Sequence, residues 1–287
     1  MTAKPTSAWA GWIRLMRPWN VLAMGVMVVV IQRWLGISLS AMWKLEHVGW
    51  VVVPMLAGAA GNLINDYFDV REDRVNKPDR ALVGRVVKRR VVLVSHWGMT
   101  AVSLLWSALL SAHIHSYWPI GMVTVISIIL ALYSPVLKGR GGWGNLAISM
   151  CVGGIVAWSA LPVFASGTTA SIHTLQCLHF GLLLAGMNFL REWVKDIQDM
   201  DGDQRAGLQT LAAIVSKKTS TIVISTALLI ITGLSSYWAW RFIALDYRWI
   251  VWGVAIGGGI ISTMRWKVHA MSAWIKIMMG ALFVFLL

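Results

Sequence analysis

Acidic side chains are scarce in this chain: 12 Asp and Glu against 25 Lys and Arg in 287 residues. Charged residues of both signs make up only 13%, against roughly 25% in a soluble domain. With 57% hydrophobic residues and a mean hydropathy of +0.68, the chain has too little charge to clothe a water-soluble surface. An integral membrane protein is therefore expected. Cysteine is nearly absent as well. Cys151 and Cys177 both fall in apolar runs and no CxxC pattern occurs, which excludes a disulfide framework and a thiolate metal site. No P-loop, dinucleotide fingerprint or nucleophile elbow is present. The net charge of +13 comes without any nucleic-acid-binding module, so no nucleic-acid partner is expected. Basic loops facing anionic lipid on the cytoplasmic side account for it.

Long apolar runs are what the chain has in quantity. A span needs about 20 mainly apolar residues, and nine stretches qualify: 19–37, 48–66, 91–111, 118–136, 144–165, 173–193, 220–240, 248–264 and 268–287. The fold expected is all-α, a polytopic bundle of nine transmembrane helices forming a single domain over residues 1–287. The gaps leave no room for a soluble domain. The first run follows Lys4, Arg14 and Arg17 but is about 18 residues long, beyond a typical signal-peptide core, and lacks a small-residue cleavage site. It is read as a retained span. Alternate loops hold 20 and 4 basic residues, with Lys276 alone inside the last span. That imbalance places the N-terminus in the cytoplasm and the C-terminus outside, in an inner or plasma membrane. Trp19, Trp34, Trp50, Trp118, Trp143, Trp193, Trp240, Trp249 and Trp266 fall near expected span ends, as an interfacial aromatic belt would place them.

The few acids are not scattered. Five lie between Asp66 and Asp79, five between Glu192 and Asp203, and only Glu46 and Asp246 elsewhere. Both clusters end an apolar run, and the loop count puts both on the cytoplasmic side, so they read as two halves of one site. On a helix Asn65, Asp69 and Asp73 follow i, i+4, i+8, with Asp66 three before Asp69; Asp199 and Asp203 are i, i+4, with Asp196 three before Asp199. Such residues share a helix face. Oxygen-only donors of this kind suit Mg²⁺, which is held by carboxylates, waters and substrate phosphates. Arg74, Lys77 and Arg80 follow at once, which makes sense if the ligand is a diphosphate whose remaining charge must be neutralised. Arg85 and Lys88 to Arg90 are read as lipid-surface residues.

Asn65-Asp66-x-x-Asp69-x-x-x-Asp73, with Asp199-x-x-x-Asp203 and Gly207 later, resembles the UbiA family of intramembrane prenyltransferases. Asn-Asp-Tyr-Phe-Asp at 65–69, Arg-Val-Asn-Lys-Pro-Asp-Arg at 74–80 and Arg191-Glu192 through Lys195-Asp196 resemble its digeranylgeranylglyceryl phosphate synthase branch. Arg17-Pro18-x-Asn20, Tyr133 and Lys138 also match. One departure is Ala81-Leu82-Val83-Gly84, where archaeal members of that branch carry Pro and Ser.

The resemblance implies nine helices around a central cavity. It also implies Mg²⁺-dependent transfer of a prenyl group, most simply geranylgeranyl, from a prenyl diphosphate. Asn65, Asp69 and Asp73, assisted by Asp66, would hold one Mg²⁺; Asp199 and Asp203, with Asp196 near, would hold a second. Asp66, Asp69, Asp73, Asp199 and Asp203 form the catalytic set. Arg74, Lys77, Lys138 and Lys195 would contact phosphates, Asn62 would orient a ligand, and Asn20, Arg80, Tyr133, Arg140 and Arg191 complete the substrate-binding set. The acceptor would be the glycerol hydroxyl of geranylgeranylglyceryl phosphate, giving an ether lipid. The alternatives within the family are an aromatic prenyltransferase of quinone synthesis, with a 4-hydroxybenzoate or naphthoate type of acceptor, and a haem farnesyltransferase. Outside it stands an ion-coupled transporter, which would place its acids near the midplane rather than at span ends. Membrane lipids are the surroundings, and no obligate protein partner is evident.

Overall fold

The computed structural model describes residues 7–78, 81–165, 167, 171–242, 248–264 and 268–286. Twelve α-helices account for most of them. They are α1 (Ala8–Met16), α2 (Pro18–Trp34), α3 (Leu45–Phe68), α4 (Val70–Asn76), α5 (Arg89–His113), α6 (Trp118–Leu132), α7 (Trp143–Ala165), α8 (Ser171–Arg205), α9 (Leu211–Ile214), α10 (Lys217–Phe242), α11 (Arg248–Met264) and α12 (Val268–Val284). The all-α membrane architecture stands, and each of the nine expected stretches falls on a helix.

Among the described residues, five helices are long and apolar enough to cross a membrane, and a sixth if α1 and α2, bent by 41°, count as one span. The expected nine is therefore met only in part by length and composition. Two physical reasons account for the difference. His173, Gln176, His179 and Asn188 interrupt the apolar run of α8, and α11 and α12 are 17 residues each.

The chain divides into two compact units, one of Met1–Val29 with Ser38–Val136 and the other of Val30–Ile37 with Leu137–Leu287. In the first, α3 is the hub, packed on α1, α5 and α6. Small residues along it, among them Gly49, Ala57, Ala60 and Gly61, are buried and let neighbouring helices approach closely. Helix α1 is an element the hydropathy reading did not anticipate. The Ser7 side chain accepts a bond from the Ala10 N–H at its start, and it buries Gly11 and Leu15. Leu15 joins Leu63 of α3, Val92 of α5 and the loop residues Leu82, Val83 and Val87 in one apolar core. This explains the departure at Ala81-Leu82-Val83: the three side chains are 3 to 8% exposed and plug the loop into the helices.

In the second unit α8 is the hub, packed on α7, α10 and α12, with α11 against α12. Two short strands, β1 (Arg140–Gly141) and β2 (Gln209–Thr210), pair in parallel, Arg140 opposite Gln209. The outer faces of α5, α6 and α10 carry exposed Val94, Leu105, Leu109, Ile128, Leu229 and Ile230, surface that only lipid would cover. Trp19, Trp118, Trp143 and Trp240 are exposed as a belt requires, whereas Trp50 and Trp193 are buried core residues, 1% and 7% exposed. Trp34 packs edge-on against His173 and Trp238, Trp249 packs against Phe285, and Trp266 lies outside the described residues.

Candidate active site

The first acid cluster forms where α3 ends. The helix stops at Phe68 and α4 begins at Val70, with Asp69 at the joint. The helical register nevertheless survives the joint: the Asp69 N–H donates to Asn65 O at 2.9 Å, Asp73 N–H to Asp69 O at 2.9 Å, and Lys77 N–H to Asp73 O at 2.8 Å. Asn65, Asp69, Asp73 and Lys77 thus keep the four-residue step the sequence suggested. Asp66 and Asp73 line a narrow crevice together with Val70, Ala81, Leu82 and Val83. The loop that plugs the core also walls this crevice.

Several polar groups hold the cluster in place. The Arg17 guanidinium donates to Asp66 Oδ1 at 2.6 Å. Arg17 closes α1 in the left-handed region, φ 55° and ψ 63°, uncommon for a residue with a Cβ. Asn62 donates to Met16 O at 2.9 Å, which ties the end of α1 to α3. Ser134 donates to Asn65 Oδ1 at 3.3 Å from a π-type turn, Tyr133–Leu137, that follows α6. Arg89 stacks its guanidinium 4.5 Å from the centroid of Tyr67, and Arg85 donates to Pro78 O at 3.2 Å, so both brace the acid-bearing segment as well as facing outward. Arg74 is exposed, Lys77, Asn20 and Tyr133 are half-buried, and Arg80 lies outside the described residues. Glu72, passed over in the sequence, has a buried Oε2 with no hydrogen-bond partner among the described residues.

The second cluster lies on the C-terminal third of α8. Asp203 is 1% exposed and Asp196 8%, whereas Asp201 faces outward. Lys138 Nζ stands 3.7 Å from Asp203 Oδ1. Two backbone features make that approach possible. Gly207, φ +74°, stops α8 and turns the chain back so that Gln209 pairs with Arg140. Gly144 lies so close to the preceding loop that a Cβ would meet Leu137 O at 3.0 Å and Lys138 Cα at 3.1 Å. Arg140 itself is exposed.

Asp196 belongs to a buried polar chain. Asn188 Nδ2 donates to Ser149 Oγ at 3.3 Å, Ser149 Oγ donates to Asn145 O at 2.5 Å, and Asn145 Nδ2 donates to Asp196 Oδ2 at 2.8 Å. Burial pushes the Asp196 carboxyl up to about 7, with Glu192 and Asp203 adding to the rise and the Asn145 bond and Lys195 opposing it. Asn145, Ser149 and Asn188 were missed in the sequence. The signal was available: Asn188, Glu192 and Asp196 follow i, i+4, i+8, as do Asn145 and Ser149 at i, i+4 on the facing helix.

The donors present are carboxylate and amide oxygens, the set that suits Mg²⁺. Among the described residues no three His, Cys, Asp or Glu side chains converge to hold a metal by themselves.

Comparison with known proteins agrees with this chemistry. The model of the UbiA prenyltransferase family matches residues 22–284. A digeranylgeranylglyceryl phosphate synthase of Methanothrix thermoacetophila is 31% identical over 279 residues, 96% of this chain and 97% of the relative. The enzyme of the same name from Natronomonas pharaonis is 30% identical over 226 residues, 79% and 76% of the two chains. Among solved structures, a digeranylgeranylglyceryl phosphate synthase superposes with TM-score 0.67 at 20% identity, covering 97% of each chain. A UbiA homologue from Archaeoglobus fulgidus bound to GPP and Mg²⁺ superposes with TM-score 0.59 at 14% identity over 96% and 99%. The chain belongs to the UbiA prenyltransferase family.

Proposed function

We propose that this protein transfers a prenyl group, geranylgeranyl in the simplest case, from its diphosphate to the free hydroxyl of a glycerophosphate lipid. The product would be an ether lipid. The observation that carries the reading is the pair of acid clusters, each at the end of a hub helix and each supplied with its own cations. Full-length similarity to digeranylgeranylglyceryl phosphate synthases supports the choice of acceptor.

On this reading Asn65, Asp69 and Asp73 with Asp66 would hold one Mg²⁺, and Asp199 and Asp203 with Asp196 would hold a second. Bound there, the ions neutralise charge that develops on the departing diphosphate. Arg74, Lys77 and Arg80, which follow the first cluster in sequence, and Lys138, Arg140 and Lys195, which go with the second, would add fixed positive charge for the same purpose. Arg17 holds the Asp66 carboxylate in place, and Ser134 does the same for the Asn65 amide. Asn20, Tyr133 and Arg191 make further substrate contacts. The C1–O bond of the donor breaks, the acceptor oxygen attacks C1, and its proton passes to a carboxylate of the clusters or to diphosphate. Apolar surroundings keep water from capturing the allylic carbon. The whole chain acts as one catalytic domain of nine spans, with N-terminus and acid clusters on the cytoplasmic side.

The test is a transfer assay in purified membranes with labelled geranylgeranyl diphosphate and Mg²⁺, offering geranylgeranylglyceryl phosphate and 4-hydroxybenzoate in parallel. Product from the first acceptor is expected. Product from the second alone would move the chain to quinone synthesis.

A further inference from the structure

Helices α7 and α8 touch backbone to backbone. A Cβ on Gly153 would strike the Gly181 carbonyl oxygen, and one on Gly181 would lie 3.1 Å from Gly153 O. Helices this close can bond polar side chains directly across their interface. Two such rungs follow toward the acid-bearing end of α8. Asn188 Nδ2 donates to Ser149 Oγ at 3.3 Å, and Asn145 Nδ2 donates to Asp196 Oδ2 at 2.8 Å. All four residues are buried, between 1 and 8% exposed. Ser149 Oγ also donates to Asn145 O at 2.5 Å and so pins the backbone that carries the second rung.

We infer that Asn145 is a positioning residue: from α7 it fixes which oxygen of Asp196 the second acid cluster offers to a ligand, and so sets how firmly that cluster holds Mg²⁺ with diphosphate. The inference rests on the metal reading above and gives α7 a part in it that the acid motif does not contain. The two rungs are chemically unequal. Asn188 and Ser149 are neutral, and their bond does no more than fix the register of the helices. Asn145 serves a carboxyl group three residues before Asp199 and seven before Asp203. A zipper would be served by two neutral rungs, since a carboxylate costs more to bury. The bond engages Oδ2 alone, and among the described residues it is the one side-chain hydrogen bond that Asp196 receives. The neighbouring cations are engaged elsewhere: Arg191 and Lys195 donate to Glu192 at 2.8 and 2.7 Å. The terminal torsion of an aspartate is broad when nothing restrains it, so Asn145 is what holds Oδ1 in one direction. Partners of this kind behind a ligating carboxylate tune metal affinity without touching the metal.

The experiment measures binding of Mn²⁺, a paramagnetic stand-in for Mg²⁺, to the full-length protein in detergent. The unreactive thiolo analogue of geranylgeranyl diphosphate is present, and the thermal midpoint is taken in parallel without metal. Asn145→Leu keeps the volume and removes the donor. It should weaken Mn²⁺ binding by about 10- to 100-fold. In turnover it should raise the Mg²⁺ concentration needed for half-maximal rate and leave the acceptor KM alone. Asn145→Ser, which keeps a donor on a shorter side chain, should fall between the two. The exchange of Asn145→Asp with Asp196→Asn rebuilds the hydrogen bond with its polarity reversed. It should keep the thermal midpoint near that of wild type and bind Mn²⁺ as weakly as Asn145→Leu. Because the exchange retains the bond, it decides the matter even if Asn145→Leu does not fold. Unchanged Mn²⁺ affinity in a folded Asn145→Leu protein would overturn the inference. So would wild-type affinity in the exchange, the result expected of a pair that only zips two helices. The two readings fail separately, because the binding assay contains no acceptor. Transfer to some other acceptor would refute the proposed function and leave Asn145 in its role. Transfer to the glycerophosphate lipid with Mn²⁺ binding indifferent to Asn145 would do the reverse.

Discussion

Asp66 shows what single residues contribute here. Its carboxylate is 13% exposed and is held by Arg17, a residue 49 positions earlier that adopts a left-handed backbone to reach it. Arg17→Gln should free that carboxylate and lower kcat by about 10- to 100-fold with little change in acceptor KM, while Arg17→Lys should recover part of it. Equal rates for wild type and Arg17→Gln would remove Arg17 from the machinery. Asp196 gives a pH signature. Its native carboxyl titrates near 7, well above the ordinary value, so the native state keeps its proton to higher pH than the unfolded chain does. The stability tied to that proton is present at low pH and drains away as pH rises through 7. Asp196→Asn mimics the protonated form. In metal-free detergent its stability advantage over wild type should therefore widen from pH 5 to pH 8, by on the order of 2 kcal/mol. A constant gap across that range in thermal unfolding would contradict the assignment. At this scale the sequence showed the carboxylates, because acids are so rare that their clustering stands out. It did not show their partners: Arg17 looked like a basic flank of the first span, and Asn145 like a stray amide in an apolar run.

At the scale of elements, the turn between β1 and α7 decides where Lys138 stands. Gly144→Val would drive a side chain into the Leu137–Lys138 backbone, and overpacking of that kind costs about 1–3 kcal/mol. The expected result is a lower thermal midpoint together with lost transfer activity. Gly154→Ala is the control: it lies on α7 with nothing within 4 Å of an added Cβ. It should leave activity intact and stability unchanged or slightly improved, by up to about 1 kcal/mol. Matching losses in both would mean that α7 tolerates no added bulk anywhere, and the special role of Gly144 would fall. Most of the main helices were readable from hydropathy because they carry long apolar runs. Helix α1 was not, since nine residues with Arg14 and three half-buried or exposed tryptophan and isoleucine side chains do not make a span. Nor was the strand pair, because two-residue strands carry no periodicity. The segment 81–84 was read as a departure from family pattern when its apolar residues Ala81, Leu82 and Val83 are core residues supplied from outside the helices.

The whole molecule consists of two compact units, and each centres on one acid-bearing helix, α3 or α8. Loop charge yields an expected orientation because the imbalance is so large; the nine-span count was legible only in part, because His173, Gln176, His179 and Asn188 interrupt the apolar run of α8 and α11 and α12 are short. Topology can be checked with single cysteines in a background lacking Cys151 and Cys177. Gln204→Cys, beside the second acid cluster, should react only from the cytoplasmic face, and Tyr117→Cys, 90% exposed between α5 and α6, only from the outside. Labelling of both from one face would overturn the orientation. The most direct single measurement is transfer of labelled geranylgeranyl diphosphate to geranylgeranylglyceryl phosphate by wild type, Asp69→Ala and Asp203→Ala, each with Mg²⁺ and with a chelator. The expected result is a chelator-sensitive ether lipid from wild type, reduced at least about 10³-fold in both variants although both insert into the membrane. Turnover at the wild-type rate by either variant, or transfer that chelation leaves untouched, would contradict a reaction run by two metal-holding acid clusters.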